Sequence, residues 1–144
     1  MGKELLIFEK LPKGKEFRPI SETLSEEKIR IFAQAIDTEN PLHLDKEIAA
    51  KTKFGEVIAP PMIAYSLFRH SYLADAEMPG GGVGLKMEFE FHKAAKVNET
   101  LTTQTKVLDS YERESKKYVT LEAVTKNADG GKVYVSRLYA IWPK

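Results

Sequence analysis

At Leu85 the apolar repeat changes from three-to-four to two, and no other feature of the sequence restricts the fold as much. Before that point apolar side chains recur at helical spacing: Ile29, Phe32, Ala33 and Ile36, then Ile63, Ala64, Leu67 and Phe68. Beyond it Leu85, Met87, Phe89 and Phe91 alternate with Lys86, Glu88, Glu90 and His92. A period of two belongs to a strand with one buried face. Two further runs, "ETLTTQTKVLDSYERE" and "KKYVTLEAVTKN", are rich in Thr and Val, and "KVYVSRLYAIW" ends the pattern. "NADGG" between the last two supplies glycine for a hairpin turn. Four long strands joined by tight turns imply an antiparallel sheet. A sheet that buries one face needs a cover, and the most apolar helix precedes it. The expectation is an α+β fold, an antiparallel sheet wrapped around a long central helix.

The helices have readable limits. Ser25 is placed to cap the first, with Glu26 and Glu27 in its first turn and Asn40-Pro41 at or just beyond its end. Asp45 caps a second, "KEIAAKT". Pro61 suits the first turn of a third over residues 62–76, whose broad apolar face makes it the most buried. A short strand is expected over residues 16–21, and "MPGGGVG" reads as a flexible connection.

A length of 144 residues predicts one domain, 1–144, able to bury a core. The 22 basic and 21 acidic residues leave a formal charge of +1, so electrostatics gives no case for nucleic acid or a membrane surface. With no cysteine, disulfides, thiol chemistry and Cys-ligated metal are excluded. No apolar run is long enough to cross a bilayer, and "MGKELLIFEK" lacks the run of a secretory signal, so a cytoplasmic protein is expected. "GGG" at 80–82 lacks the strand-before, helix-after context of a dinucleotide loop, and the three histidines lack metal-ligand spacing.

One corner carries chemistry. "AIDTENPLHL" holds Asp37, Thr38, Glu39, Asn40, Pro41 and His43, and "VIAPP" follows about fifteen residues later. Together with "MEFEFHKAAKVNETLTTQTKVLDSYERE" and "VTKNADGGKVYVSRLYAIWP", this resembles the MaoC-like dehydratase/hydratase group of hotdog-fold proteins, closest to the N-terminal-domain type, over about residues 15–142. The resemblance implies a hotdog fold, usually dimeric, with an acyl-CoA or acyl-carrier-protein thioester at the interface of two protomers. It implies hydration of a trans-2-enoyl thioester to the (R)-3-hydroxy thioester, or the reverse, with no metal and no cofactor. The partner is a second copy or a related hotdog subunit.

The family pattern is Asp-x-Asn-Pro-x-His. Asn40, Pro41 and His43 match it; Thr38 occupies the Asp position, and Asp37 stands one residue earlier, where the family has Gly. On a helix end one residue is a rotation of about 100°. An imidazole, with an ordinary pKa of roughly 6.5, can take a proton from water near neutrality. By the resemblance His43 is the acid/base group, with Asp37 or Thr38 positioning the water and Glu39 as a substitute carboxylate. Asn40, Pro61 and Met62 are placed in substrate binding, Asn40 also shaping the turn. Pro61 stands where catalytic relatives often have Gly and lacks an N–H, so Met62 would supply the carbonyl donor. Three functions stay open: an (R)-specific hydratase or dehydratase, a non-catalytic hotdog subunit that binds the thioester in a heteromeric enzyme, and a hotdog thioesterase using Glu56. For Asp37 a solvated helix end competes with catalysis, and for His43 a structural bond to a backbone carbonyl competes.

Overall fold

The computed structural model describes residues 2–144; Met1, the first residue of the expected domain, lies outside them. Helix α1, Glu26–Ala35, starts where its cap predicts, because the Ser25 hydroxyl accepts the Lys28 N–H. It stops in a Schellman turn: the Asp37 N–H donates to the Gln34 carbonyl and the Thr38 N–H to the Ala33 carbonyl, with Asp37 left-handed at φ 53°. The Asn-Pro pair, expected only to end α1, also opens a helix of its own. In α2, Pro41–Leu44, the Asn40 side chain accepts the Leu42 N–H. Helix α3, Lys46–Ala50, is capped by Asp45, which accepts the N–H groups of Glu47 and Ile48.

Helix α4, Ile63–Leu73, is the central helix. It buries Ile63, Ala64, Leu67, Phe68, Ser71 and Tyr72, the face its spacing predicts. It is shorter than residues 62–76. Pro61 precedes it rather than sitting in its first turn, and Met62 takes the cap position. At the other end residues 76–77 are claimed by a strand, β3 (Ala76–Glu77), parallel to β1 (Glu4–Leu5).

The main sheet holds β2 (Ile20–Thr23), β4 (Val83–Phe91), β5 (Thr100–Arg113), β6 (Lys116–Lys126) and β7 (Lys132–Trp142), in the order β2-β5-β6-β7-β4, with every pair antiparallel. The expected strand at residues 16–21 lies further on, and Glu16 makes only an isolated bridge to Lys106. Tight turns join β5 to β6 and β6 to β7, but β4 reaches β5 through residues 92–99 and pairs instead with β7 at the far edge. The sheet packs on α4 through β5, β6 and β7. Phe68, Tyr72, Val107, Leu121 and Trp142 fill one half of the core, and Leu24, Ile29, Leu67, Leu101 and Val133 the other. The Trp142 indole donates to the Leu6 carbonyl at 2.6 Å, tying the first residues to the last strand. The apolar set on β4 departs from its expected burial: Leu85 is 53%, Met87 38% and Phe91 52% exposed. An edge strand has a neighbour on one side only.

Candidate active site

His43 lies on α2 and is buried, 7% exposed. Its Nδ1 is 2.7 Å from the carbonyl oxygen of Ile58. A carbonyl only accepts, so Nδ1 carries the proton and donates. In the neutral ring Nε2 is then left with its lone pair. Ser136 Oγ is the sole buried side-chain polar atom among the described residues without a partner. Nε2 makes no protein hydrogen bond, so it is reached by solvent despite the burial of the ring.

The ring is held by a lattice of main-chain bonds. The Ile58 N–H donates to the Leu42 carbonyl and the Ala59 N–H to the Ala95 carbonyl; the Val97 N–H donates to the Val57 carbonyl. Residues 57–59 thus bind α2 on one side and residues 95–97 on the other, and Ile58 grips the corner through both its N–H and its C=O. Four residues on from Ile58 comes Met62, at the start of α4. Pro60 and Pro61 have no N–H, and the Met62 N–H makes no hydrogen bond to the protein among the described residues. One corner therefore holds an imidazole with a free acceptor nitrogen and leads directly to a helix start with a free donor.

Thr38 and Asn40 belong to the same turn. Thr38 Oγ1 accepts the Asn40 N–H at 3.2 Å and keeps its own O–H to donate. Asn40 Oδ1 accepts the Leu42 N–H at 3.0 Å. Asp37 and Glu39 are exposed and neither carboxylate has a hydrogen-bond partner among the described residues. Pro61 is exposed, and Met62 is 43% exposed. His70 is exposed on α4 at 3.5 Å from Glu22, and His92 lies 3.6 Å from Glu90; neither joins His43. The Ile58 carbonyl, which orients the ring, is invisible to side-chain motif reading because any residue type could supply it.

Two clefts lie on neighbouring segments of the chain, and neither is lined by His43 or Met62. One, of about 240 Å³, lies between α1 and α4 against Ile31, Phe32, Ala35, Ile63, Ser66 and Leu67. Its walls are chiefly aliphatic and aromatic. The other, of about 620 Å³, is lined by Lys53, Lys93, Lys96, Glu56, Glu99 and Asn127, with Phe54 and Val97 behind them. Lys96 lies across the strand bridge from Ile58. None of these three lysines makes an ion pair among the described residues, whereas eight of the Lys and Arg side chains elsewhere do. Away from this corner, burial pushes the Tyr134 and Tyr72 hydroxyls upward, so both are neutral at physiological pH.

Among the described residues no group of three or more His, Asp and Glu could hold a metal ion, and no helix is long and apolar enough to cross a membrane. Residues 12–135 match the family described as "FAS1-like, dehydratase domain region". The chain is 30% identical over 131 residues to a UPF0336 protein of Saccharopolyspora erythraea, covering 86% of this chain and 84% of that protein. Its structure resembles the unliganded R-hydratase PhaJ1 from Pseudomonas aeruginosa, with a TM-score of 0.82 and 23% identity, over 97% of this chain and 87% of that one. It also resembles a chain of the HadBC (3R-hydroxyacyl-ACP dehydratase) complex from Mycobacterium tuberculosis, with a TM-score of 0.77 and 22% identity, over 90% and 96%. These two likenesses establish a shared fold, the hotdog fold.

Proposed function

Because the chain belongs to the FAS1-like dehydratase family, among the MaoC-like hotdog proteins, we propose that it is an (R)-specific enoyl-thioester hydratase, or 3-hydroxyacyl-thioester dehydratase in reverse, acting on acyl-CoA or acyl-carrier thioesters. The observation that carries this is the His43 ring, buried, oriented by the Ile58 carbonyl, and left with a solvent-reached basic nitrogen. The bond to the Ile58 carbonyl would serve a structural histidine equally; the solvent-reached Nε2 is what adds an acceptor for water.

In the proposed reaction His43 Nε2 takes a proton from water, and the hydroxide oxygen bonds to C3 of the enoyl group. The π electrons move toward C2 and the thioester carbonyl, whose oxygen gathers charge at the Met62 N–H. The imidazolium then returns its proton to C2, so one water has been added and His43 is restored. Thr38, through its free O–H, and Asp37 or Glu39 on the same turn orient the water, and Asn40 and Pro61 shape the slot. The apolar cleft between α1 and α4 suits an acyl chain, and the unpaired lysines of the larger cleft suit the phosphates of a carrier. The whole chain, 1–144, acts as one hotdog domain and completes its site with a second hotdog subunit.

A second reading has its own support. Thr38 stands where the family pattern has Asp, and Asp37 occupies a left-handed turn position with its carboxylate exposed. The chain would then bind thioester without turnover and complete a heteromeric dehydratase; one of the similar structures is such a dehydratase complex. Incubation of the purified chain with crotonyl-CoA separates these functions. Loss of enoyl absorbance with formation of (R)-3-hydroxybutyryl-CoA is the expected result. Binding without turnover, rescued by a partner subunit, supports the second reading, and free thiol indicates a thioesterase.

A further inference from the structure

The apolar cleft between α1 and α4 has an end, and that end is ionic. Its wall along α4 is Ile63, Ser66 and Leu67. The same face of the helix continues, at three- and four-residue spacing, through His70 to Leu73 and Ala74. Those three line a second cleft, of about 410 Å³, with Ile20 and Ser21 of β2. One residue belongs to both clefts, Glu22 of β2. Its two oxygens take partners on different helices: Oε1 is 3.3 Å from Lys28 Nζ on α1, and Oε2 is 3.5 Å from His70 Nδ1 on α4. The Glu22 side chain is 24% exposed and its partners 49% and 59%, so the carboxylate is the inner member of the bridge. We infer that Glu22, held by Lys28 and His70, closes the acyl cleft at its far end and sets the longest acyl chain the protein accepts. The inference rests on the proposal that the cleft between α1 and α4 takes the acyl group, and adds what limits it.

The dimensions of α4 set the limit. Met62, whose N–H receives the thioester carbonyl in the proposed reaction, is eight residues before His70, about 12 Å along the helix. A trans carbon chain of ordinary bond length and angle advances about 1.25 Å per atom, so about ten carbons reach the Glu22 bridge. Ala74 lies twelve residues beyond Met62, about 18 Å, which corresponds to about fourteen carbons. Up to the bridge each added methylene meets Ile31, Phe32, Ile63 or Leu67 and leaves water. Beyond it a chain must turn out to solvent or push the carboxylate aside. Apolar atoms cannot replace either partner, so displacement leaves a partly buried charge unpaired. Once past the bridge, a chain would find Ile20, Leu73 and Ala74, beside the charged Lys3 and Arg69.

Calorimetric titration with saturated acyl-CoA thioesters, butyryl to hexadecanoyl, reads this limit as binding and needs no turnover. For the wild type Kd should fall about fourfold per added methylene, the contribution of one buried CH₂, and level off near decanoyl. In Glu22→Ala the fall should continue to about tetradecanoyl, so that the ratio of the decanoyl to the tetradecanoyl Kd rises about tenfold or more over wild type. Adding Ala74→Trp to Glu22→Ala fills the second cleft and should return the levelling-off toward decanoyl. A merely loosened fold would weaken every length alike, and a second bulky residue would not reverse it. Wild-type affinity that goes on rising past decanoyl, Glu22→Ala with an unchanged profile, or a double variant that keeps the long-chain gain would each overturn the gate and leave the proposed function standing. A wild type that binds none of these thioesters would overturn the proposed function and the gate with it.

Discussion

Two buried polar groups in this molecule follow opposite rules. Beneath α4 each of the hydroxyls of Ser71, Thr103, Thr105 and Thr125 has a protein partner: Thr105 donates to Ser71, Ser71 to the Thr103 carbonyl, and Thr103 pairs with Thr125. At the α2 corner His43 is buried to a similar degree, yet only one of its two nitrogens has a protein partner. Buried polar groups are ordinarily satisfied, because an unpaired one costs roughly 1–3 kcal/mol. The hydroxyl set obeys that rule and so contributes to the fold. His43 obeys it at one nitrogen and leaves the other to whatever enters from solvent, which is how a reactive group is presented.

The sharpest way to break this contrast is to delete the imidazole. His43→Ala should lower kcat/KM for crotonyl-CoA by about 10²–10⁴-fold, the usual contribution of a general acid/base group. Thr105→Val should leave turnover within a few-fold. Steady-state kinetics on both variants checks the pair, and equal losses would erase the distinction. The next effect is on stability. Thr105→Val removes the O–H that donates to Ser71 Oγ, leaving Ser71 bonded only through its own O–H to the Thr103 carbonyl, and should cost about 1 kcal/mol, read as a lowered midpoint in urea with an unchanged slope. The smallest concerns Asp37. Its left-handed φ of 53° at the C′ position of α1 is a geometry that glycine adopts freely. Asp37→Gly should raise stability by up to about 1 kcal/mol in the same titration. If hydration survives that change, Asp37 serves the turn and the water is positioned by Thr38 or Glu39; if it falls as far as in His43→Ala, the Asp37 carboxylate belongs to the reaction.

Local signals were legible where they depended on neighbours in the chain. The Ser25 and Asp45 caps lie where their side-chain chemistry put them, and the apolar stripe Ile63, Ala64, Leu67 and Phe68 of α4 lies on the face that is buried. The alternation on β4 was legible too, but its consequence was misjudged. Periodicity says that Met87 and Phe91 share a face; it cannot say that the strand stands at an edge where that face has half a cover. The same limit applies to the chain's path. Residues 92–99 carry no mark that sends β4 across the sheet to β7 rather than back against β5. The α2 helix was hidden because Asn-Pro stops one helix by the same backbone restriction that opens the next.

For the site, the residue types and their spacing were written in "DTENPLHL", including the displacement of the acid by one position. What residue order alone determined is the presence of an imidazole after an Asn-Pro turn and a helix start with two prolines before its first N–H. Tertiary structure alone decided that the ring is oriented by the carbonyl of Ile58, fifteen residues along the chain from it and four before Met62. It also decided which nitrogen keeps the lone pair. Side-chain identity is a property of one position, whereas a free lone pair depends on which partners the fold brings within about 3 Å of the others.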